Sequence, residues 1–153
     1  NGPNAERCIK TTLARQIANW VIIYSPLQMA ADLIENYEGH PAFRFFRDFD
    51  ADCDWSKALQ GEIGDYIVVA RRAKDRYFLG AGTDEKARTL VQKLDFLEPG
   101  VTYTATIYAD APDAGRNPEA YLIGKRAVTA RDTIRIEMAE RGGQAITFIP
   151  AEK

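Results

Sequence analysis

The first 50 residues place their apolar side chains with the period of an α-helix. One apolar stripe consists of Ile9, Leu13, Ile17, Val21 and Tyr24. The run 20–24 is apolar or aromatic at every position, so its side chains cover all faces of a helix. Because a surface helix keeps a polar face, we expect this segment to be enclosed by further protein.

Two more helices are predicted before residue 50. Ser25 is a good N-cap and Pro26 suits the first helical position, which predicts a second helix over 27–37. His40 and Pro41 end that helix, and a short third helix is predicted over 42–47. The pattern leaves two hypotheses open: these helices cap the β-region that follows, or they end a larger upstream domain.

After Trp55 the period changes from helical to alternating, which predicts β-strands. The predicted strands span 57–61, 65–72, 76–82, 87–94, 101–108, 120–128, 132–138 and 144–149. About eight strands at this spacing are typical of an antiparallel β-sandwich. The predicted fold class is therefore mainly β: a helical segment over 1–50, followed by an antiparallel β-sandwich domain of about eight strands over 51–153.

The alternation is clearest over 101–108 and predicts which side chains are buried. The set expected in the core is Tyr103, Ala105 and Ile107. The set expected to be mostly exposed is Thr102, Thr104 and Thr106, and Tyr108 lies on the same side of the strand. A register shift of one residue would reverse both sets. In the strand over 132–138, the inward set is Ile134, Ile136 and Met138.

Composition and charge argue against two classes of partner. The 153 residues carry a net charge of −2 with both signs spread along the chain, without the basic, aromatic-rich patch that nucleic acid requires. No apolar run reaches the length of about 18 residues that a membrane span needs. We therefore expect neither a nucleic-acid partner nor a membrane span. Cys8 and Cys53 are expected to be ordinary thiols, and a bridge between them is left open.

One acidic stretch resembles the start of a calcium-binding loop, because four possible oxygen ligands alternate in it: Asp48, Asp50, Asp52 and Asp54. Counted from Asp50, the sixth residue is Trp55, where the sharp turn needs Gly. The twelfth is Gly61, where the loop needs Glu. We interpret the stretch as a solvated linker that meets Arg44 and Arg47.

The remaining candidates for chemistry are isolated. Glu62 and Asp65 form a carboxylate pair of the kind that a glycosidase places about 5–10 Å apart, but they lie at a strand entry with no pocket implied. His40 precedes a proline at a helix end and is interpreted as a terminus residue, not a base. We assign no catalytic, cofactor-binding or metal-binding residue to this chain.

Aromatic side chains in the β-region could form a platform for sugars: Trp55, Tyr66, Tyr77, Phe78, Tyr103, Tyr108 and Tyr121. Strands are rich in aromatic residues in any case. A free-standing carbohydrate-binding β-sandwich module therefore stays open as an alternative, as does a purely structural interaction domain.

Two motifs carry a resemblance that extends in order along nearly the whole chain. They are Ser25-Pro26-Leu27-Gln28-Met29 in the helical region and Gly61-Glu62-Ile63-Gly64-Asp65-Tyr66 in the β-region. Shorter matches are Val69-Ala70-Arg71-Arg72, Phe78-Leu79-Gly80, Tyr103-Thr104-Ala105, Asn117-Pro118 and Gly142-Gly143. Together these segments resemble the end of the catalytic barrel and the C-terminal domain of glycoside hydrolase family 97.

The resemblance implies the C-terminal region of an exo-acting α-glucosidase or α-galactosidase, inverting or retaining, with calcium in its catalytic site. It implies a structural or oligomerisation role for the β-sandwich, with the upstream barrel of the same polypeptide as its partner. It also implies an oligosaccharide substrate, a possible homo-oligomer and a periplasmic or extracellular location. The family's catalytic carboxylates and calcium ligands lie upstream, so this span alone should be inactive. Cys8 and Cys53 depart from the family's pattern.

Overall fold

A computed structural model describes residues 10–30 and 34–151 of the chain. The helices are α1 (Leu13–Ile22), α2 (Ile34–Tyr37) and α3 (Arg44–Asp48), with a 3₁₀ turn over Pro41–Phe43. Eight strands follow: β1 (Trp55–Glu62), β2 (Tyr66–Ala73), β3 (Arg76–Thr83), β4 (Arg88–Lys93), β5 (Tyr103–Asp110), β6 (Tyr121–Val128), β7 (Thr133–Met138) and β8 (Gly143–Pro150). Every predicted strand is present, with its ends within two residues of the prediction.

Two antiparallel sheets pack face to face. Six strands form the larger sheet in the order β1-β2-β3-β8-β5-β6, and β4 and β7 form the smaller one. Hairpins join β1 to β2 and β2 to β3 because Gly64 and Lys74 adopt the positive φ that tight turns require. The predicted antiparallel β-sandwich is thereby confirmed.

The side of the larger sheet that meets β4 and β7 holds an apolar core, here called the sandwich face. It includes Leu79, Tyr103, Ala105, Ile146 and Phe148, all with 3% or less of their surface exposed. Opposite them, the smaller sheet buries its predicted inward set: Ile134, Ile136 and Met138.

The opposite side of the same sheet, here called the helix face, packs against α1 and α3. Glycines on β3 and β8 let α1 approach closely: a Cβ at Gly80 would lie 2.6 Å from the Ala18 carbonyl oxygen, and one at Gly143 would lie 2.7 Å from the Arg15 Cα. Ile17 and Val21 are buried here against Phe78 and other members of a second core. The lead-in helix is therefore packed directly on the β-sandwich.

The helix face corrects part of the predicted burial in β5. Tyr103 and Ala105 are buried as predicted, and Ile107 is half-buried against the same core. Thr102 is exposed and Thr104 half-exposed. The exposure predicted for Thr106 is wrong, since it is 4% exposed, and Tyr108 on the same side is 0% exposed. Alternation reveals which residues share a face, but not whether a helix covers the second face.

The second predicted helix is wrong over 27–30, where the chain is irregular, and right over Ile34–Tyr37. Its residues 31–33 lie outside the described part of the chain. Ser25 does not cap a helix, because its hydroxyl donates to the Leu27 carbonyl oxygen at 2.6 Å and accepts from the Leu27 amide. The side-chain amide of Gln28 donates to the Ile23 carbonyl oxygen at 3.1 Å and so folds this segment back across the end of α1. Such local side-chain bonds compete with helix formation.

The short third helix is confirmed as the 3₁₀ turn and α3. Ile9 and Cys8, named in the sequence analysis, lie outside the described residues. Within the described ranges, no helix has the length and hydrophobicity that crossing a membrane would take.

Candidate functional site

The start of α1 is tied to two loops of the sandwich. Thr12 caps the helix by accepting the Arg15 amide at 3.1 Å. The Leu13 amide donates to the Pro118 carbonyl oxygen at 2.8 Å, and the Thr12 amide donates to the Arg141 carbonyl oxygen at 3.4 Å. Both loops belong to motifs that carried the family resemblance, Asn117-Pro118 and Gly142-Gly143. These motifs therefore hold the lead-in helix on the sandwich.

Asp110 stands at the centre of this junction. Its Oδ2 accepts the amides of Ala139 at 2.9 Å and Gly143 at 3.0 Å, which fixes the turn between β7 and β8. Burial raises the pKa of Asp110 above its usual value, although the Thr12 hydroxyl, these two amides and the Arg15 guanidinium oppose the rise. The carboxylate has a structural role in the turn.

The carboxylate pair Glu62 and Asp65 does not form an acid–base site. Glu62 is exposed at the turn between β1 and β2, and the Asp65 carboxylate accepts the Arg88 guanidinium at 2.8 Å. Arg88 also pairs with Asp84, whose pKa is lowered to about 2 mainly by this hydrogen bond. The cluster borders an open cleft of about 540 Å³ that includes Arg15. Its charges are paired with one another, which favours a structural role.

The acidic stretch 48–54 meets basic side chains, in part as predicted. Asp48 pairs with Arg44 at 3.3 Å, and Asp50 pairs with Lys74 at 3.1 Å. Arg47 instead lies over the Phe43 ring at 5.3 Å. Among the described residues, no group of three or more His, Cys, Asp or Glu side chains is placed to hold a metal ion.

The candidate sugar platform is mostly core. Four of its aromatic side chains are buried: Tyr77, Phe78, Tyr103 and Tyr108. Trp55, Tyr66 and Tyr121 are half-buried. Trp55 packs on Tyr77 with ring centroids 6.2 Å apart, and Tyr121 stacks on His40 at 5.5 Å. His40 is thus an exposed terminus residue with an aromatic neighbour, in the position expected for it.

The surface left uncovered beside the end of α1 is the main candidate for function, and we call it the apolar end. It consists of Ile23, Tyr24, Leu27 and Met29, which are 61%, 60%, 73% and 78% exposed. Monomeric proteins seldom expose apolar side chains in such a cluster, and these patches mark interaction sites. Trp20 and Val21, from the same predicted run, are half-buried and buried respectively.

Arg71 of β2 lies under the apolar end and was given no role by the sequence. Only 1% of its surface is exposed, yet its Nε and Nη1 have no hydrogen-bond partner among the described residues. From the sequence, an arginine next to Arg72 in an alternating strand is predicted to lie at the surface. Its burial becomes visible only once α1 is placed on the helix face.

The comparisons with known proteins agree with this architecture. Residues 52–149 match the family described as "Glycosyl-hydrolase 97 C-terminal, oligomerisation". The chain is 32% identical over 136 residues to a retaining alpha-galactosidase of Bacteroides thetaiotaomicron, covering 88% of this chain and 20% of that protein.

Two solved structures of a Glycoside Hydrolase Family 97 enzyme from Pseudoalteromonas sp. strain K8 are similar over 94% of this chain. The complex with acarbose has 45% identity and a TM-score of 0.89, and a complex with panose has 46% identity and a TM-score of 0.88. In each case the chain covers 23% of the solved protein. The match over 52–149, with these relatives, shows that the chain belongs to the C-terminal oligomerisation domain family of glycoside hydrolase family 97.

Proposed function

We propose that this chain is the C-terminal region of an exo-acting α-glycosidase, in which the β-sandwich braces an upstream catalytic barrel and joins subunits. Support comes from the family match and from relatives that are glycosidases several times longer than this chain. The substrate class is an α-galactoside or α-glucoside, because one relative is an alpha-galactosidase and another was solved with acarbose. Calcium and a periplasmic or extracellular location are part of the same proposal for the whole enzyme.

The observation that carries the bracing role is the apolar end. Ile23, Tyr24, Leu27 and Met29 follow directly after a helix that is itself packed on the sandwich. Burial of one large apolar side chain is worth about 1.5–3 kcal/mol. A barrel that covers this surface would therefore gain several kcal/mol, and the rigid junction at Thr12 and Asp110 would hold the two parts in a fixed orientation.

The chain alone is expected to have no glycosidase activity. Of the two carboxylates considered for acid–base roles, Asp65 is paired with Arg88, and Glu62 is exposed at the end of β1. Incubation with aryl α-glucosides and α-galactosides, with and without calcium, tests this expectation. Turnover that disappears in Glu62→Gln would overturn it.

Removal of apolar side chains tests the docking surface. The double variant Leu27→Ser with Met29→Ser should reduce binding of a hydrophobic dye and self-association measured by light scattering. Val91→Ser is the matched control, because Val91 is 66% exposed on β4, on the other side of the larger sheet. A wild-type chain that is monomeric and silent toward the dye would instead favour the free-standing module.

A further inference from the structure

Arg71 occupies an unusual position for a cation. It lies on the helix face of β2, paired with Phe78 of β3, and its guanidinium reaches beneath the C-terminal end of α1. Its Nη2 lies 3.5 Å from the Ile22 carbonyl oxygen, at the limit of a hydrogen bond. The Tyr24 ring covers the group at 5.0 Å. A helix C-terminus and an aromatic face both favour a positive charge.

These contacts do not complete the site. A guanidinium has five N–H donors in a planar fork that matches a carboxylate. Nε and Nη1 have no partner among the described residues, and Arg71 takes part in none of their ion pairs. A buried charged group left in this state is strongly unfavourable.

The neighbouring thiol cannot supply the missing negative charge. Burial raises the pKa of Cys53, although the positive charge of Arg71 and its side-chain contact with the thiol oppose the rise. Burial thus favours the neutral thiol, whose sulfur donates to the Asp50 carbonyl oxygen at 3.3 Å. The Asp50 carboxylate is already paired with Lys74.

We propose that Arg71 is the anchor for a carboxylate of the upstream domain, which enters beside Tyr24 when that domain covers the apolar end. This inference rests on the proposed function, since it requires the longer polypeptide. Tyr24 is 60% exposed, so its ring can rotate rapidly and admit the carboxylate. The carboxylate would then accept a charge-assisted hydrogen bond from one of the two free donor atoms, Nε or Nη1, in a site that docking makes dry.

The upstream domain is favoured over a second copy for two reasons. Tyr24, which covers the guanidinium, and the other exposed apolar residues belong to the lead-in segment, which is close in sequence to any upstream domain. A domain tethered by a short linker has an effective concentration in the millimolar range. It therefore occupies the surface in preference to a separate molecule at a lower concentration.

The test compares Arg71→Met in two contexts, the 153-residue chain and the full polypeptide. Hydrogen exchange of peptides from α1 and β2 is the readout, and circular dichroism checks that each variant is folded. In the chain alone, exchange should be unchanged or slower, because the variant removes two unpaired donors. In the full polypeptide, exchange should be at least about tenfold faster, because the partner carboxylate is left buried and unpaired.

Arg72→Met is the matched control. Arg72 lies on the same strand but on the sandwich face, where it donates to the Lys74 carbonyl oxygen at 2.8 Å and lies 5.6 Å from the Tyr77 ring. Its effect should be the same in both contexts. Arg71→Lys keeps the charge and should restore part of the protection that Arg71→Met loses in the full polypeptide.

The anchor is overturned if Arg71→Met changes hydrogen exchange equally in the isolated chain and in the full polypeptide. It is also overturned if Arg71→Lys and Arg71→Met change hydrogen exchange equally in the full polypeptide. Protection in the isolated chain that rises with protein concentration and requires Arg71 would assign the carboxylate to a second copy and also overturn it. Glycosidase activity of the full polypeptide is measured in parallel. Activity without the exchange response rejects the anchor alone, whereas absence of activity rejects the proposed function.

Discussion

The two faces of the six-stranded sheet differ in how completely their buried polar atoms are hydrogen-bonded. Five buried side-chain atoms lack a hydrogen-bond partner among the described residues, and all five lie on the helix face: Nε and Nη1 of Arg71, the Tyr108 hydroxyl, Asp110 Oδ1 and Thr147 Oγ1. On the sandwich side the buried polar groups are bonded. Gln144 contacts β7 through both ends of its amide, and Gln92 accepts from Gln60 at 2.8 Å.

The core on the sandwich face is fully covered by strands of this domain, whereas the core on the helix face is covered only in part. The sandwich face is closed by β4 and β7, which are covalently part of the same domain. The helix face is closed by short helices and ends in exposed apolar side chains. Because each unpaired buried group costs about 1–3 kcal/mol, natural proteins retain few of them. Their concentration on one face shows that the helices satisfy the buried polar groups less completely than the strands of the smaller sheet do on the other face.

The largest expected effect compares one phenylalanine from each face. Phe148 and Phe78 are both fully buried, and removal of such a ring costs about 3–5 kcal/mol. Phe148→Ala should lie at the upper end, since two hydrogen-bonded sheets cannot collapse into the cavity. Phe78→Ala should cost less because α3 and the segment around Phe49 can shift. Urea unfolding measures both, and equal costs would contradict the comparison.

The next effect concerns the approach of α1 to the sheet. Gly80→Ala should destabilise the chain by about 1–3 kcal/mol, because the new Cβ meets the backbone of Ala18 and the rigid Val21 side chain. Gly124→Ala is the control, since nothing lies within 4 Å of a Cβ there. Thermal unfolding followed by circular dichroism gives both values. A harmless Gly80→Ala would mean that α1 is not held on the helix face.

The sequence predicted the eight strands well because each has its own alternating pattern and turn. It predicted the burial of Tyr103 and Ala105 for the same reason, and missed Thr106 and Tyr108 because a helix far away in sequence covers them. The second predicted helix was wrong over 27–30 because the Ser25 hydroxyl and the Gln28 side-chain amide form local bonds instead. A role for Arg71 could not be predicted, since it depends on the packing of α1 against β2.

A smaller effect is expected from a single unpaired hydroxyl. Thr147→Val should leave stability unchanged or raise it by up to about 1 kcal/mol, because Oγ1 has no partner among the described residues and the shape is preserved. Thr83→Val should destabilise the chain, since its hydroxyl donates to the Lys86 carbonyl oxygen at 2.9 Å and contacts Arg88. Urea midpoints of both variants test the pair. A destabilised Thr147→Val would show that the helix face is better satisfied than described.

The smallest effect is a dependence on pH that originates from Asp110. Because the folded chain raises the pKa of this carboxyl above its usual value of 3.8, the folded state holds more protons than the unfolded state just above that pH. The stability of the wild type relative to Asp110→Asn should therefore fall as pH rises from about 3.8 through the folded pKa. Asp113→Asn, at an exposed position in the loop before β6, serves as the control. Urea midpoints between about pH 3.5 and 7 cover this window. A constant difference across it would show that the helix face holds Asp110 without a desolvation penalty.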